Sequence, residues 1–194
     1  MRQPLEDRKI TISRAKCSVD YPANFMLIAS MNPCPCGYYN HPTKECSCTG
    51  SMIQRYLSKI SGPLLDRIDM HIEVVPVELD KITGSQEAED SKTIRERVVR
   101  ARNIQTERFK TWKNIHCNAQ MNPTLLKEFC PLDEKCTALL KMAMQKFGLS
   151  ARAYDRIIKL SRTIADLAGC ETISPQHIAE AIQYRTLDKE SWGN

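Results

Sequence analysis

The sequence lacks any hydrophobic run long enough to cross a membrane. Its longest uncharged stretch, residues 21–43, contains four prolines and several polar side chains, whereas a bilayer-spanning helix needs about 20 mainly apolar residues. The first residues also lack the apolar core of a secretory signal. We therefore expect a cytoplasmic protein rather than a membrane or secreted one.

Histidine is scarce. The four histidines are spread along the chain, and no Ser/His/Asp or Cys/His pattern typical of a catalytic nucleophile stands out. A histidine-based metal site is therefore not expected. With 194 residues, of which 42% are hydrophobic, the chain can still form one large domain or two small ones.

Cysteine, in contrast, is abundant. Five of the nine cysteines are scattered, but four follow a C-x-C…C-x-C pattern in a loop rich in glycine and proline: Cys34, Cys36, Cys46 and Cys48. Thiolates are soft ligands that suit Zn²⁺, and a four-cysteine site is closed and structural. The C-x-C spacing is tighter than the common C-x-x-C. His41 in place of one thiol, four free thiols and two disulfides are the alternatives.

The net charge of +5 is concentrated in one segment. Residues 91–113 contain eight basic and two acidic residues, a local charge of +6, so the rest of the chain sums to about −1. A basic helix suits a polyanion such as a nucleic acid. A solvated face on a long helix is the alternative.

The N-terminal part is predicted to belong to an α/β layer. Alternation over Lys9–Ser13 predicts a strand, and the apolar run Phe25–Met31 predicts a buried strand of a parallel sheet. Met70–Val75 predicts a further strand, and short helices are expected over 51–58 and 64–69. Few helices are available to cover both faces of such a sheet, so we expect an upstream part to supply the first strands.

The C-terminal part is predicted to be entirely helical. A polar stretch, residues 83–91, is predicted to be the linker that precedes it. Helix starts are indicated by serine, asparagine, aspartate and proline, and helix ends by glycine. The predicted helices cover 91–110, a segment that begins at 122, 133–147, 150–167 and 174–185.

The helix predicted over 150–167 separates into two faces. An outward basic stripe consists of Arg152, Arg156 and Lys159. It is either a solvated face or a source of cations for an anionic ligand. Small and apolar residues at helical spacing are expected to pack inward: Tyr154, Ile157, Ile158, Ser161, Ile164, Ala165 and Ala168.

The fold class that follows is α/β plus all-α. Residues 1–82 are predicted to form the α/β part, which carries the Cys-rich loop at 34–48. Residues 83–91 are the linker, and residues 92–194 form a helical domain.

Two long strings of residues resemble a known family. FMLIASMNPCPCG at 25–37 and ISGPLLDRID at 60–69 resemble the magnesium-chelatase-like AAA+ ATPases of the ComM/YifB type, and the resemblance covers nearly the whole chain. It implies the C-terminal part of an AAA+ P-loop ATPase domain followed by a helical lid. It also implies an ATP-driven ring motor, a hexamer, similar to the MCM helicases and to the small AAA+ subunit of magnesium chelatase.

The phosphate-binding motif of such ATPases does not occur in this sequence. No G-x-x-x-x-G-K-[ST] string is found, and without its backbone N–H groups and its lysine the β- and γ-phosphates have no cradle. We therefore expect a C-terminal fragment that by itself hydrolyses ATP poorly. ATP and Mg²⁺ would be bound mainly by the upstream part of the parent protein.

Three nucleotide-contacting positions of the family have a match in this sequence. Asn32 matches sensor 1, an amide that can bond the γ-phosphate and the attacking water. Arg67 matches the arginine finger, which acts on the nucleotide of the neighbouring subunit. Arg152 matches sensor 2, and Arg156, one turn on, is its rival. The alternatives are a turn residue before a proline for Asn32 and an ion pair with a nearby aspartate for Arg67.

Residues 11–16 resemble the pre-sensor-1 hairpin of MCM-type motors, which touches DNA inside the ring. Lys16 is the matching position, and Arg14 is a second candidate for DNA contact. Phosphate contacts of this kind bind without reading sequence. The alternative is an exposed strand edge guarded by charge.

The function that the resemblance implies is a DNA motor for branch migration or unwinding during transformation or recombination. The first alternative is a chelatase-type motor that drives Mg²⁺ insertion into a tetrapyrrole through a protein partner. The second is a zinc-stapled module that binds nucleic acid with its basic helix. Shared ATPase architecture does not separate the two motors, but the Cys-rich loop and Lys16 favour the DNA motor.

Overall fold

The computed structural model describes residues 2–77 and 89–185, which belong to two compact units divided between Ile68 and Asp69. The first unit contains α1 (Arg2–Asp7), β1 (Lys9–Arg14), β2 (Cys17–Pro22), α2 (Gly50–Leu57) and α3 (Gly62–Leu65). The second contains α4 (Ser91–Phe109), a 3₁₀ turn (Asn118–Gln120), α5 (Pro123–Phe129), α6 (Glu134–Phe147), α7 (Ala151–Leu167) and α8 (Pro175–Gln183). None of the helices in these ranges is long and apolar enough to cross a bilayer.

A β-hairpin is the only sheet among the residues that the structure describes. Strands β1 and β2 pair antiparallel from Lys9 opposite Pro22 to Arg14 opposite Cys17. Asp20 ties the two strands together, since it accepts hydrogen bonds from the Lys9 ammonium at 2.7 Å and from the Thr11 hydroxyl at 2.6 Å. The strand predicted from alternation over residues 9–13 is confirmed.

The prediction of two further strands is wrong. Neither Phe25–Met31 nor Met70–Val75 is a strand. Apart from the half-buried Leu27, their apolar side chains are exposed, with Met26 at 82% and Val74 at 88%. An apolar run indicates burial, but a strand also needs a neighbour that completes its hydrogen-bond ladder. Within 2–77 and 89–185, no other strand pairs with either run.

The second unit is a helical bundle around one apolar core. Its most deeply buried side chains come from four different helices: Leu125, Leu140, Ile157 and Ile178. Each predicted helix of this region is confirmed to within about two residues at either end. Residues 83–88 of the predicted linker and residues 186–194 of the predicted helical domain lie outside the described ranges.

The helix starts are confirmed because each has a local cap. The side chain of Asp90 accepts from the Thr93 N–H at 2.8 Å, and that of Asp133 accepts from the Cys136 N–H at 2.7 Å. Ser150 caps α7 in the same way. Such caps satisfy backbone donors that the first turn leaves without a partner.

The predicted inward face of α7 is correct except at its two ends. Ile157, Ile158, Ser161, Ile164 and Ala165 are buried, as expected. Tyr154 and Ala168 are exposed: Ala153 is the buried residue of the first turn, and Ala168 is the C-cap, beyond the last buried residue, Asp166. The amphipathic period therefore predicts which side of a helix is buried, but not how far along the helix the neighbouring elements reach.

Gly148 ends α6 in a left-handed conformation, with φ +53° and ψ +41°. A Cβ group is disfavoured there, so we expect Gly148→Ala to lower the free energy of unfolding by about 1 kcal/mol. Denaturant unfolding measures this change. Gly148→Asn is the matched control, since asparagine tolerates the left-handed region better, and equal losses in both variants would contradict the backbone argument.

Candidate functional site

The tip of the hairpin carries two cations. Ala15 and Lys16 form the turn between β1 and β2, and Arg14 is the last residue of β1. All three residues are exposed. The hairpin therefore presents Lys16 and Arg14 at one end, where they are available to a polyanion.

Four sulfurs of the Cys-rich loop come together. The Sγ atom of Cys34 lies 3.3 Å from that of Cys36 and 3.7 Å from that of Cys46, and the Cys36 and Cys46 sulfurs are 3.6 Å apart. With Cys48, all four ligand atoms lie within 4.8 Å of one another. This donor set could hold one soft divalent cation.

The surroundings of the sulfurs lower the pKa of some of these thiols and raise the pKa of others. A hydrogen bond from the Tyr38 N–H to the Cys36 sulfur is the main reason that the pKa of Cys36 falls to about 5. The Cys48 N–H lowers the pKa of Cys46, but burial and the neighbouring thiols outweigh it and raise that pKa to about 12. Without a cation, the group therefore keeps some of its protons.

His41 does not join this group. Its Nδ1 accepts instead from the backbone N–H groups of Thr43 at 3.2 Å and Lys44 at 3.1 Å. The alternative in which His41 replaces one thiol is therefore wrong. Helix α2 lies behind the cysteines, since Ile53 and Leu57 form a small buried cluster with Cys34.

Asn32, the predicted sensor 1, lies immediately before the Cys-rich loop and is exposed. Its amide lies beside Gly37, where φ is +84° and a Cβ would sit 3.8 Å from Asn32 Nδ2. The turn that contains Gly37 is closed by a 3.1 Å hydrogen bond from its N–H to the Cys34 carbonyl. The side chain of Asn32 therefore lies against the turn that carries the first two cysteines.

Arg67, the predicted arginine finger, already binds a carboxylate. Its Nε and Nη2 donate to one Glu6 oxygen at 2.9 and 2.5 Å, and its Nη1 donates to the Pro63 carbonyl at 2.5 Å. The alternative expected for Arg67 was an ion pair with a nearby aspartate, but the carboxylate that it binds in the structure is that of Glu6. The guanidinium group is well placed to recognise oxyanions.

The two candidates for sensor 2 differ in their surroundings. Arg152 is exposed and lies in the first turn of α7, whereas Arg156 is half-buried and forms an ion pair with Asp69. Lys159, the third member of the predicted basic stripe, donates to the Ala119 carbonyl at 3.4 Å.

A buried ionic network was missed from the sequence. The Asp166 carboxylate, with a fully buried side chain, accepts from Arg108 at 2.5 and 2.7 Å, from Arg162 at 3.0 Å and from Asn118 at 2.7 Å. The i, i+4 spacing of Arg162 and Asp166 was the one local signal. Arg108 is 58 residues from Asp166, and no sequence pattern connects them.

Two family models match the chain. The model described as magnesium chelatase, subunit ChlI, matches residues 1–82, and the model described as magnesium chelatase, subunit ChlI C-terminal, matches residues 88–185. The chain therefore belongs to the magnesium chelatase subunit ChlI family and is a ChlI-like relative of the AAA+ ATPases. The family resemblance of residues 25–37 and 60–69 is confirmed.

Longer bacterial proteins are similar to the chain over nearly all of its length. Competence protein ComM of Haemophilus influenzae is 43% identical over 189 residues, which are 96% of this chain and 36% of the relative. The uncharacterized protein YifB of Escherichia coli is 37% identical over 194 residues, with 97% and 36% covered. YifB of Salmonella typhimurium is 37% identical over 193 residues, with the same coverage. The chain thus spans about a third of the length of these curated relatives.

Proposed function

We propose that this chain is the sensor and lid region of an ATP-driven ring motor that works on DNA. The observation that carries the proposal is the exposed hairpin with Lys16 at its tip, in a chain of the ChlI family. Residues 1–82 would complete an α/β ATPase layer, and residues 92–194 would be the helical lid. A relative that is 43% identical is named a competence protein, which agrees with work on DNA.

ATP and Mg²⁺ are the expected cofactors of the whole protein, and ATP would supply the phosphoryl group whose transfer drives motion. Three residues of this chain offer donors that fit phosphate oxygens: Asn32, Arg67 and Arg152. In this proposal, Asn32 orients the γ-phosphate and a water molecule, while Arg152 ties the lid to the nucleotide. Movement of the lid with the nucleotide state is the step that turns hydrolysis into work.

Arg67 is proposed to act on a second copy of the protein. An arginine finger must reach a nucleotide that another subunit binds, so subunits would assemble head to tail into a closed ring, a hexamer by resemblance. The hydrogen bonds from Arg67 to the Glu6 carboxylate support this role, because a carboxylate and a phosphate present similar oxygen acceptors to a guanidinium group. A γ-phosphate would have to compete with Glu6 for the same N–H groups.

DNA binding is proposed at the hairpin tip and along α4. The first ten residues of α4, Ser91–Arg100, are all exposed, and four of them are basic. Arg97 is already paired with Glu89 at 2.8 and 3.0 Å, and the other three basic residues are Lys92, Arg95 and Arg100. Each of the two surfaces, the hairpin tip and α4, is proposed by itself to offer cations to a phosphate backbone, whose neutralisation releases counterions. Neither element presents a pattern for reading base edges, so the binding would depend on charge and DNA shape.

The decisive experiment is ATP turnover by the full-length protein with and without branched DNA. We expect DNA to stimulate turnover several-fold. Turnover that ignores DNA would contradict the DNA motor and favour the chelatase-type motor with a protein partner. Salt-sensitive DNA binding by residues 1–194 without any ATPase in the full-length protein would favour the nucleic-acid-binding module.

Reversing the charge at the hairpin tip tests the DNA contact directly. We expect Lys16→Glu in the full-length protein to weaken DNA binding and to reduce the salt dependence, log K against log salt, by about one unit or more. Fluorescence anisotropy over a salt series measures both quantities. Lys141→Glu is the matched control, because Lys141 is an exposed cation on α6, outside both proposed DNA surfaces. An unchanged slope for Lys16→Glu would remove Lys16 from the DNA interface.

A further inference from the structure

We infer that Cys34, Cys36, Cys46 and Cys48 bind one structural Zn²⁺ ion, and that this ion fixes the turn against which Asn32 lies. Four thiolates at about 2.3 Å from a tetrahedral zinc lie about 3.8 Å from one another. The measured distances of 3.3, 3.6 and 3.7 Å between three of the sulfurs are close to this value. The metal site stands on its own geometry, whereas its effect on Asn32 as a sensor rests on the proposed function.

The same geometry argues against the other uses of four cysteines. A disulfide needs two sulfurs about 2.05 Å apart, and all four thiols are free. An iron–sulfur cluster with several irons places bridging sulfides among the metals, so its cysteine sulfurs spread around a larger group than one ion. The compact sulfur group therefore fits a single tetrahedral ion.

The surroundings of the sulfurs are those of metal-bound thiolates. Backbone N–H groups of Gly37 and Tyr39 donate to the Cys34 sulfur, and the Tyr38 N–H donates to that of Cys36. Such donors orient thiolate ligands and reduce their charge. A divalent cation would then remove the repulsion among four thiolates held within 4.8 Å.

The loop also needs a constraint in addition to its apolar contacts to hold one conformation. Residues 34–48 form no helix or strand, and their buried apolar support is limited to Cys34, Ile53 and Leu57, with partly buried neighbours. So small a core does not offset the entropy of ordering a loop of this length. One metal ion bound at both ends of the loop supplies the missing constraint.

The metal would act on Asn32 through the turn that it closes. Cys34 begins the turn and Cys36 lies within it, and Gly37, with φ +84°, places the turn beside the Asn32 amide, since a Cβ at Gly37 would lie in ordinary contact with Asn32 Nδ2 at 3.8 Å. Asn32 lies two residues before the first metal ligand. A zinc ion on the two pairs of cysteines would therefore limit the positions that the Asn32 side chain can take, which makes the cysteines positioning residues rather than catalytic ones.

The metal site is tested by metal analysis of the chain, purified under reducing conditions without chelator. We expect one zinc per chain, released by a thiol-blocking mercurial reagent. Cys48→Ser should lose the zinc, and Cys17→Ser and Cys170→Ser, at exposed cysteines outside the loop, should keep it. Well under one zinc per chain, iron in its place, or two disulfides found by mass spectrometry would overturn the site, whether or not the Cys48→Ser variant folds.

The effect on Asn32 is tested by amide hydrogen exchange on the zinc-loaded and the chelator-stripped chain. We expect residues 32–39 to exchange roughly tenfold faster after stripping, while α6 and α7 are unchanged. Unchanged exchange over 32–39 would overturn the positioning role even if zinc is present. Neither measurement uses ATP, so the zinc site and its effect on residues 32–39 can be overturned without overturning the proposed motor function, and the reverse also holds. In the full-length protein, Cys48→Ser should lower kcat for ATP more than it raises KM.

Discussion

Arg67→Ala in the full-length protein is expected to lower ATP turnover by about 10³-fold or more, the effect of removing an arginine finger. The physical reason is that charge developing on the transferred phosphoryl group loses its guanidinium partner. Steady-state ATPase assays measure the loss, and mass measurement of the assembly shows whether the ring persists. We expect assembly to be retained. Normal ATP turnover by the Arg67→Ala variant would contradict the proposed role of Arg67 as an arginine finger.

Two variants separate the finger from the ion pair that Arg67 forms with Glu6. Glu6→Gln removes the carboxylate that accepts from Arg67 but leaves the guanidinium group, so turnover should stay near normal. Arg67→Lys keeps the positive charge but loses the planar fork, so most of the loss should remain. Should Glu6→Gln be as inactive as Arg67→Ala, the role of Arg67 would be to stabilise the fold of the first unit.

Asp166→Asn is expected to lower the free energy of unfolding by about 3–5 kcal/mol, as for a buried ion pair that loses one partner. The side chains of Arg108 and Arg162 are only 12% and 3% exposed, so both charges would remain largely buried after they lose the Asp166 carboxylate. Denaturant unfolding of the second unit, followed by circular dichroism, measures the loss. Asp155→Asn, at a partly exposed position on the same helix, is the control and should change stability little.

The loss at Asp166 should depend on pH. Burial by itself would raise the pKa of Asp166, but hydrogen bonds from Arg108 and Asn118 and the nearby guanidinium charges outweigh it and lower that pKa below 3.8. The unfolded chain then takes up the proton first, so the stabilisation is complete above about pH 4 and is lost as pH falls through the lowered pKa. The difference between Asp166→Asn and the unsubstituted chain should shrink below pH 4. A difference that stays constant from pH 7 to pH 3 would contradict the charge argument.

Local patterns predicted the helices well. Each helix of the second unit starts at a cap whose side chain and backbone partner are three residues apart, as with Asp133 and Cys136. The hairpin is equally local, because its strands are joined by a two-residue turn. Interactions over such short separations are readable from residue types and spacing.

Patterns that depend on a distant partner predicted less. The apolar run Phe25–Met31 has the composition of a buried strand, yet Met26 and Ile28 are each 82% exposed. An apolar composition is typical of a strand that is buried in a sheet. Whether the segment forms that strand also depends on a neighbouring strand to pair with, which its own composition does not reveal. The C-x-C…C-x-C spacing predicted a possible metal group but left His41 as a ligand, because spacing does not show which way a ring nitrogen points.

The sequence by itself determined the family, the hairpin, the boundaries of the helices of the second unit and the identity of the four cysteines, because each depends on residues within a few positions or on a contiguous string. In the first unit the helix predicted over 64–69 is found at Gly62–Leu65, and the helix Arg2–Asp7 was not predicted. Only the tertiary structure decided that four sulfurs meet within 4.8 Å, that Arg67 binds Glu6 from 61 residues away and that Asp166 gathers Arg108, Asn118 and Arg162. These contacts join residues far apart in the chain, and their formation depends on how the elements pack and on which charges become buried together. No local period or spacing contains that information.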